Sequence, residues 1–244
     1  GIGWATDLGG LQAKLQYRPA GTEGAWSEIV VTDIQDMDLG ARGRITGYSA
    51  DITGLNAATA YEYQAVTSDA EGEYVSEIGQ FTTLPDDNDF SFIVISDLQT
   101  TVEDGYLPYL YSLSGFLSES MEPYHFAVSL GDMTEDNSAA QWRNMFKVLS
   151  GHYANSLTAF VPGNHENTGD PLYQMFKAVT NLPAGVDDEI IGNTTGSFVI
   201  GDVCFVLLNT EPLSGLDGAD MQAEKQAFYE AQKAWAKASF EASG

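Results

Sequence analysis

A single cysteine, Cys204, is all the chain carries in 244 residues. That excludes an intrachain disulfide and any cysteine-based zinc cage. Its place inside the apolar run "VCFVLLN" reads as packing, not as a nucleophile. Basic residues are scarce too: 10 against 35 acidic ones, for a net charge of -25. Such a surface repels nucleic acid and anionic membranes, both of which are held through Lys and Arg contacts to phosphate. The expectation is a protein that does not bind nucleic acid nonspecifically. No stretch approaches the roughly 18 apolar residues of a membrane span, and no secretory leader opens the chain. The opening "GIGWATD" reads as a strand already under way, so the expectation is a trimmed chain. Hydrophobic residues make up 43% of the sequence and aromatics 11%, enough to build real cores.

The chain is written in two grammars. Residues 1–85 alternate apolar and polar positions in "LQAKLQYRP", "WSEIVVTDI", "RITGYSADITGL", "YEYQAVTSD" and "GQFTTL", with Gly, Asn and Asp turns between them. This predicts an all-β sandwich whose strands each turn one face to a core. "PDDND" at 85–89 is a short acidic connector. From 89 to 244 the apolar runs become continuous: "FSFIVIS", "HFAVSLG", "LTAFVPG" and "VCFVLLN". Runs of that kind suit strands covered on both faces. Helical patterns separate them, in "PYLYSLSGFLSESM", "SAAQWRNMFKVLSGHY" and "PLYQMFKAVTNL", the last with Pro171 at a plausible first helical position. A long amphipathic segment, "MQAEKQAFYEAQKAWAKASFEA", ends the chain. The β-α-β-α order predicts an α/β domain with a mostly parallel sheet.

Each continuous strand ends in a residue able to hold a metal: Asp97, Asp132, Asn164 and Asn209. Ligand crevices of open α/β sheets lie beyond the carboxyl ends of the strands, which would bring these four together. Gly131 and Gly163 precede two of them, as tight turns near a ligand require. Carboxylate and amide oxygens suit hard divalent cations, and a bound cation would reverse the sign of an acidic site for a phosphate ester. One strand-end Asp is commonly just a turn or a cap; four in phase are harder to explain that way. His165, beside Asn164, is a group that can protonate a leaving alkoxide.

"SDLQ" at 96–99, "GDMTE" at 131–135 and "GNHE" at 163–166 resemble the first three motifs of the calcineurin-like metallophosphoesterases: D-x-H, G-D-x-x-D/E and G-N-H-D/E. In front of them, "GWATD", "YSADITGLNAATAYEYQAV" and "FTTLP" resemble the fibronectin type III-like module of the purple acid phosphatase-like branch. In that module Leu55, Tyr61 and Tyr63 are core and corner residues. The late "QAFYEAQKAWAKASF" is similar to that branch as well.

The resemblance implies a metal-dependent hydrolase of phosphate mono- or diesters with two divalent cations (Mn, Fe, Zn, Mg or Ca). Asp132 would bridge them, Asp97 would bind the first and Asn164 the second. His165 would be the leaving-group acid, oriented by Glu135. Gln99 stands where the first motif usually has His, which shifts the expected metal toward a harder ion. Glu135 stands where purple acid phosphatases proper carry a Tyr ligand, which argues against an iron–tyrosinate site.

The family's remaining motifs, an isolated His and a Gly-His-x-His, have no counterpart here. The other two histidines, His125 and His152, lack ligand spacing and read as surface or packing residues. The expectation is therefore an N-terminal piece of a longer enzyme, weakly active or inactive alone. A C-terminal fragment of the same protein would be a candidate partner beside the phosphate ester. The other reading is a non-catalytic adhesion or binding protein with a degenerate phosphoesterase domain. By analogy the parent is a secreted or cell-surface bacterial protein.

Overall fold

A computed structural model describes residues 1–7, 9, 11–99, 106–119, 123–170, 172–181, 194–211 and 219–243. The first half forms two antiparallel sheets. One has the order β1 (Ile2–Thr6), β5 (Arg44–Ala50), β4 (Asp33–Asp38). The other runs β3 (Ser27–Val30), β2 (Gln12–Pro19), β6 (Ala60–Ser68), β7 (Glu73–Val75), with β8 (Gly79–Thr82) also paired to β6. Leu11, Ala13, Leu15, Val31, Tyr48 and Ala50 fill the core between them. Trp4 lies opposite Tyr48 in the β1–β5 register, and their rings stack at 5.5 Å. The Tyr61 hydroxyl accepts the Asn56 N–H at 3.1 Å, closing the corner that leads into β6.

The segment expected as one strand over 26–34 is two, and they belong to different sheets. Val31 is buried and donates its N–H to Ala13 O, after which the chain crosses over and β4 pairs with β5. Alternation alone does not distinguish a long strand from two short ones joined across a sandwich corner.

Three strands of the second half form a parallel sheet in the order β11 (Leu157–Phe160), β10 (Phe126–Ser129), β9 (Phe92–Ile95). β10 is buried along its whole length, as its apolar run predicts. β9 is not covered on both faces by the described residues: Phe92 and Val94 are exposed. The run "VCFVL" departs from the parallel expectation. It is β13 (Val203–Leu207), antiparallel to β12 (Gly196–Ile200). Gly201 and Asp202 between them make a two-residue hairpin turn, with Gly201 at φ 54. That signal lies in "FVIGDVCF" and outranks the β-α-β count. The hairpin packs as a second layer on the parallel sheet, where Ile200 and Leu207 meet Phe126, Val128, Ala159 and Val161. Phe198, Phe205, Phe92, Phe90 and Phe126 form one aromatic cluster there.

The helices are α1 (Tyr106–Glu119), α2 (Ala139–Val148), α3 (Ser150–Tyr153), α4 (Gln174–Val179) and α5 (Ala219–Ser243). Ser138 caps α2 by accepting the Gln141 N–H. The pattern "SAAQWRNMFKVLSGHY" predicts one helix but forms two, split at Leu149. The helix expected from Pro171 is shorter, because Tyr173 takes a left-handed φ of 54 just ahead of Gln174; Pro171 itself lies outside the described residues.

The two halves share a core. Ile45 of β5 is buried among Trp142, Met145, Phe176 and Val179, with Met37 and Leu39 packed beside them. Along β5, Tyr48 and Ala50 are buried in the core between the sheets, whereas Ile45 and Gly47 are buried on the opposite face, which α4 covers. The approach is closest at Gly47, where a Cβ would stand 1.7 Å from the Ala178 carbonyl oxygen. Tyr63 Oη donates to Ala154 O at 2.9 Å across the same junction.

Candidate metal centre

The parallel register places Ile95 beside Ser129 and Ser129 beside Phe160, so three loops leave the sheet at one edge. They carry "SDLQ", "GDMTE" and "GNHE". The first is tied to the second by two main-chain bonds: Asp97 N–H to Gly131 O at 3.2 Å and Gln99 N–H to Asp132 O at 3.1 Å. Asp97 and Asp132 both adopt left-handed backbone, φ 56 and 53. Asp tolerates that region better than most side chains, and strain of this kind collects at functional sites. Gly131 has φ 89, and a Cβ on it would lie 2.2 Å from the Gly163 nitrogen. A Cβ on Gly163 would lie 2.2 Å from Asp132 Oδ1. Both glycines are there because the second and third loops touch backbone to backbone.

Glu166 makes that contact permanent. Fully buried, it accepts the N–H groups of Asp132 at 2.8 Å, Met133 at 2.8 Å and Gly163 at 2.7 Å. Burial pushes its carboxyl pKa up, the neighbouring Asp132 charge adds to that, and the three N–H donors pull the other way. Sequence reasoning assigned Glu166 no role, although the fourth letter of "GNHE" marked the position.

His165 joins the loops a second time. Its main-chain N–H donates to Asp132 Oδ1 at 3.0 Å, and its ring Nδ1 lies 2.7 Å from Glu135 O. A carbonyl can only accept, so Nδ1 carries a proton and Nε2 is left for other chemistry. Glu135 therefore meets His165 through its main-chain carbonyl, while its carboxylate contributes only charge. Partial burial alone would lower the imidazole pKa. The Glu135 carbonyl and the charges of Asp132, Glu135 and Glu166 outweigh it, and the result is a rise.

The donor set is chiefly oxygen. Asp97 and Asn164 are exposed at the loop tips, and Ser96 Oγ donates to Asp97 Oδ2. Gln99 Nε2 donates to Asp132 Oδ2 at 3.2 Å, whereas Gln99 Oε1 is buried with no hydrogen-bond donor among the described residues. An orphaned acceptor in that position is costly unless something electropositive meets it. Among the described residues no three His, Cys, Asp or Glu side chains form a ligand cluster. Asp97, Gln99, Asp132 and Asn164 carry carboxylate and amide oxygens, the donor type that a hard divalent cation takes.

Asn209 does not join them. It is buried, its Oδ1 accepts the Glu211 N–H, its Nδ2 donates to Thr194 Oγ1, and its main chain is paired with both ends of the Gln232 amide. β13 lies in the hairpin layer, so its end docks α5 rather than opening with the other three loops. The remaining histidines are elsewhere. His125 Nδ1 accepts the Ser91 N–H, and His152 Nδ1 lies 2.6 Å from the Tyr124 hydroxyl.

A parallel sheet that gathers oxygen donors and a proton-carrying imidazole at one strand edge is the architecture of a metal-dependent hydrolase. Residues 90–240, well over half of the chain, match the calcineurin-like phosphoesterases, and the protein belongs to that family of α/β phosphoester hydrolases. The family binds divalent metals and acts on phosphoesters. No curated protein matches the chain.

Proposed function

We propose that this chain hydrolyses phosphate mono- or diesters at the edge formed by 96–99, 131–135 and 163–166. The observation that carries the reading is Gln99 Oε1, a buried acceptor without a donor among the described residues, in the side chain that also contacts Asp132. Asp97, Gln99, Asp132 and Asn164 would hold two divalent cations, with Asp132 shared. When bound, the cations supply an activated water and neutralise charge on the phosphoryl oxygens. The chain's own residues do the rest. Glu166 holds the two loops at fixed separation. The Glu135 carbonyl holds the His165 Nδ1–H, and the raised pKa favours the imidazolium, whose second proton, on Nε2, would go to the departing alkoxide.

The test is turnover of a chromogenic phosphomonoester and diester with Mn, Zn, Fe, Mg and Ca supplied in turn, in wild type and Asp132→Asn. Activity in the wild type that the substitution removes supports the reading. Absence of turnover with every metal, together with no calorimetric metal binding, would move the assignment to a binding or adhesion protein.

The N-terminal half is read as a fibronectin type III-like module. Two facing antiparallel sheets and the Tyr61 hydroxyl bonded back to Asn56 support this. With it goes the purple acid phosphatase-like branch and a secreted or cell-surface setting. Gln99 and Glu135 keep the metal chemistry apart from that branch's iron–tyrosinate site.

A further inference from the structure

Arg42 belongs to the N-terminal half, at the end of the 3-10 turn Gly40–Arg42 between β4 and β5. Its guanidinium nevertheless lies against the phosphoesterase loops. Nη1 donates to Asp136 O at 2.6 Å and also to Thr168 O. Asp136 directly follows Glu135, whose carbonyl holds His165 Nδ1. Thr168 donates its N–H to His165 O at 3.1 Å. One cation from the sandwich thus clasps one turn on each of the two loops that meet at Asp132 and His165.

Three further observations show that the clasp is built in. Leu39 packs into the shared core, and its N–H donates to Gly43 O at 3.1 Å, so the turn carrying Arg42 is anchored at its base. Gly169 has φ 62, and a Cβ on it would lie 2.3 Å from the guanidinium carbon, so the loop passes the arginine with no room for a side chain. Arg42 makes no ion pair among the described residues, although the chain carries 35 acidic groups. Its donors go to two carbonyls on separate loops, an arrangement that fixes position and leaves no carboxylate neutralised.

We infer that Arg42 is a positioning residue through which the N-terminal module sets the alignment of the two site loops, and so of His165 on Glu135. The module then contributes to the catalytic centre without supplying a group to it. The inference rests on the phosphoesterase reading only for its kinetic consequence; the mechanical part stands on the contacts.

The experiment compares wild type, Arg42→Met, Arg42→Lys and Gly169→Ala as full chains. Amide hydrogen exchange is followed at His165 and Gly163 in metal-free protein, with β2–β6 amides as the control, beside calorimetric Mn binding and steady-state kinetics. Arg42→Met should speed exchange at the two site amides by about tenfold or more while the control amides hold. It should also weaken Mn binding and lower kcat on the order of 10- to 100-fold with KM little changed. Arg42→Lys, which keeps a cation and its donors, should recover most of each loss. Gly169→Ala, which crowds the guanidinium from the other side, should reproduce the Met variant if that protein does not fold. Unchanged exchange at His165 and Gly163 in the folded Met variant, or in Gly169→Ala where the Met variant fails to fold, would overturn the inference. Faster exchange beside a wild type that neither turns over an ester nor binds any of the metals would support the clasp and remove the phosphoesterase reading alone.

Discussion

The carboxylate of Glu166 accepts the main-chain N–H of Asp132 at 2.8 Å, so an acid in the third loop fixes the backbone of an acid in the second. The same oxygen takes the Gly163 N–H, and the other takes Met133. Asp132 holds a left-handed φ of 53 with its N–H engaged by this carboxylate.

Glu166→Gln should therefore destabilise the metal-free protein by about 2–4 kcal/mol, because the amide turns a donor toward a buried N–H. Urea unfolding measures this directly. A loss under about 1 kcal/mol would mean that the loops hold together without the carboxylate.

Gly47 and Gly115 should respond to alanine in opposite directions. At Gly47 the new Cβ meets the Ala178 carbonyl, a backbone atom that moves only if α4 moves. A loss of about 1–3 kcal/mol or more is expected. At Gly115, inside α1 with nothing within 4 Å among the described residues, alanine should stabilise by roughly 0.5–1 kcal/mol. Paired thermal melts give both signs in one experiment.

His152 should make the fold sensitive to mild acid. Burial lowers its pKa from 6.5 to about 4. The unfolded chain takes up this proton near 6.5 and the folded chain only near 4. Stability is then lost as pH falls through that window, and the loss levels off below it, at a ceiling of about 3 kcal/mol. His152→Gln, measured by urea unfolding at pH 7, 5.5 and 4, should show a flatter profile. Parallel profiles would exclude His152 as the cause.

His165→Asn should reduce turnover according to the leaving group. A nitrophenyl ester, which departs without a proton, should lose little. An alkyl ester should lose about 10²–10⁴-fold in kcat. An equal loss on both would point to a structural role for the imidazole.

Gln99→His should shift metal preference from Mn, Mg or Ca toward Zn or Fe, since an imidazole replaces a neutral oxygen donor. Metal content after competitive loading decides it. A preference for Zn or Fe already present in the wild type, and unchanged in the variant, would sink the assignment of Gln99 as a ligand.

Much of the candidate site is legible because its residues sit next to strand ends. Asp97, Asp132, Asn164 and His165 follow three apolar runs, and a parallel sheet delivers such ends to one edge. Glu166 was not assigned a role because its work is done on main-chain N–H groups of another loop, which no side-chain pattern announces. Glu135 does meet His165, but the contact is made by a carbonyl that every residue type possesses, not by the carboxylate the motif singles out. Asn209 was grouped with the ligands on strand count; the Gly201–Asp202 turn puts its strand in another layer.

Apolar alternation and strand-end chemistry are local properties of the chain, so the sequence by itself determined two unlike halves and three loops rich in oxygen donors. Only the tertiary structure decided that the halves share a core through Ile45 and Gly47, and that Arg42 of one half clasps two loops of the other. Those contacts join residues roughly 90 to 130 positions apart through packing and main-chain carbonyls, groups whose partners depend on where the backbone finally lies.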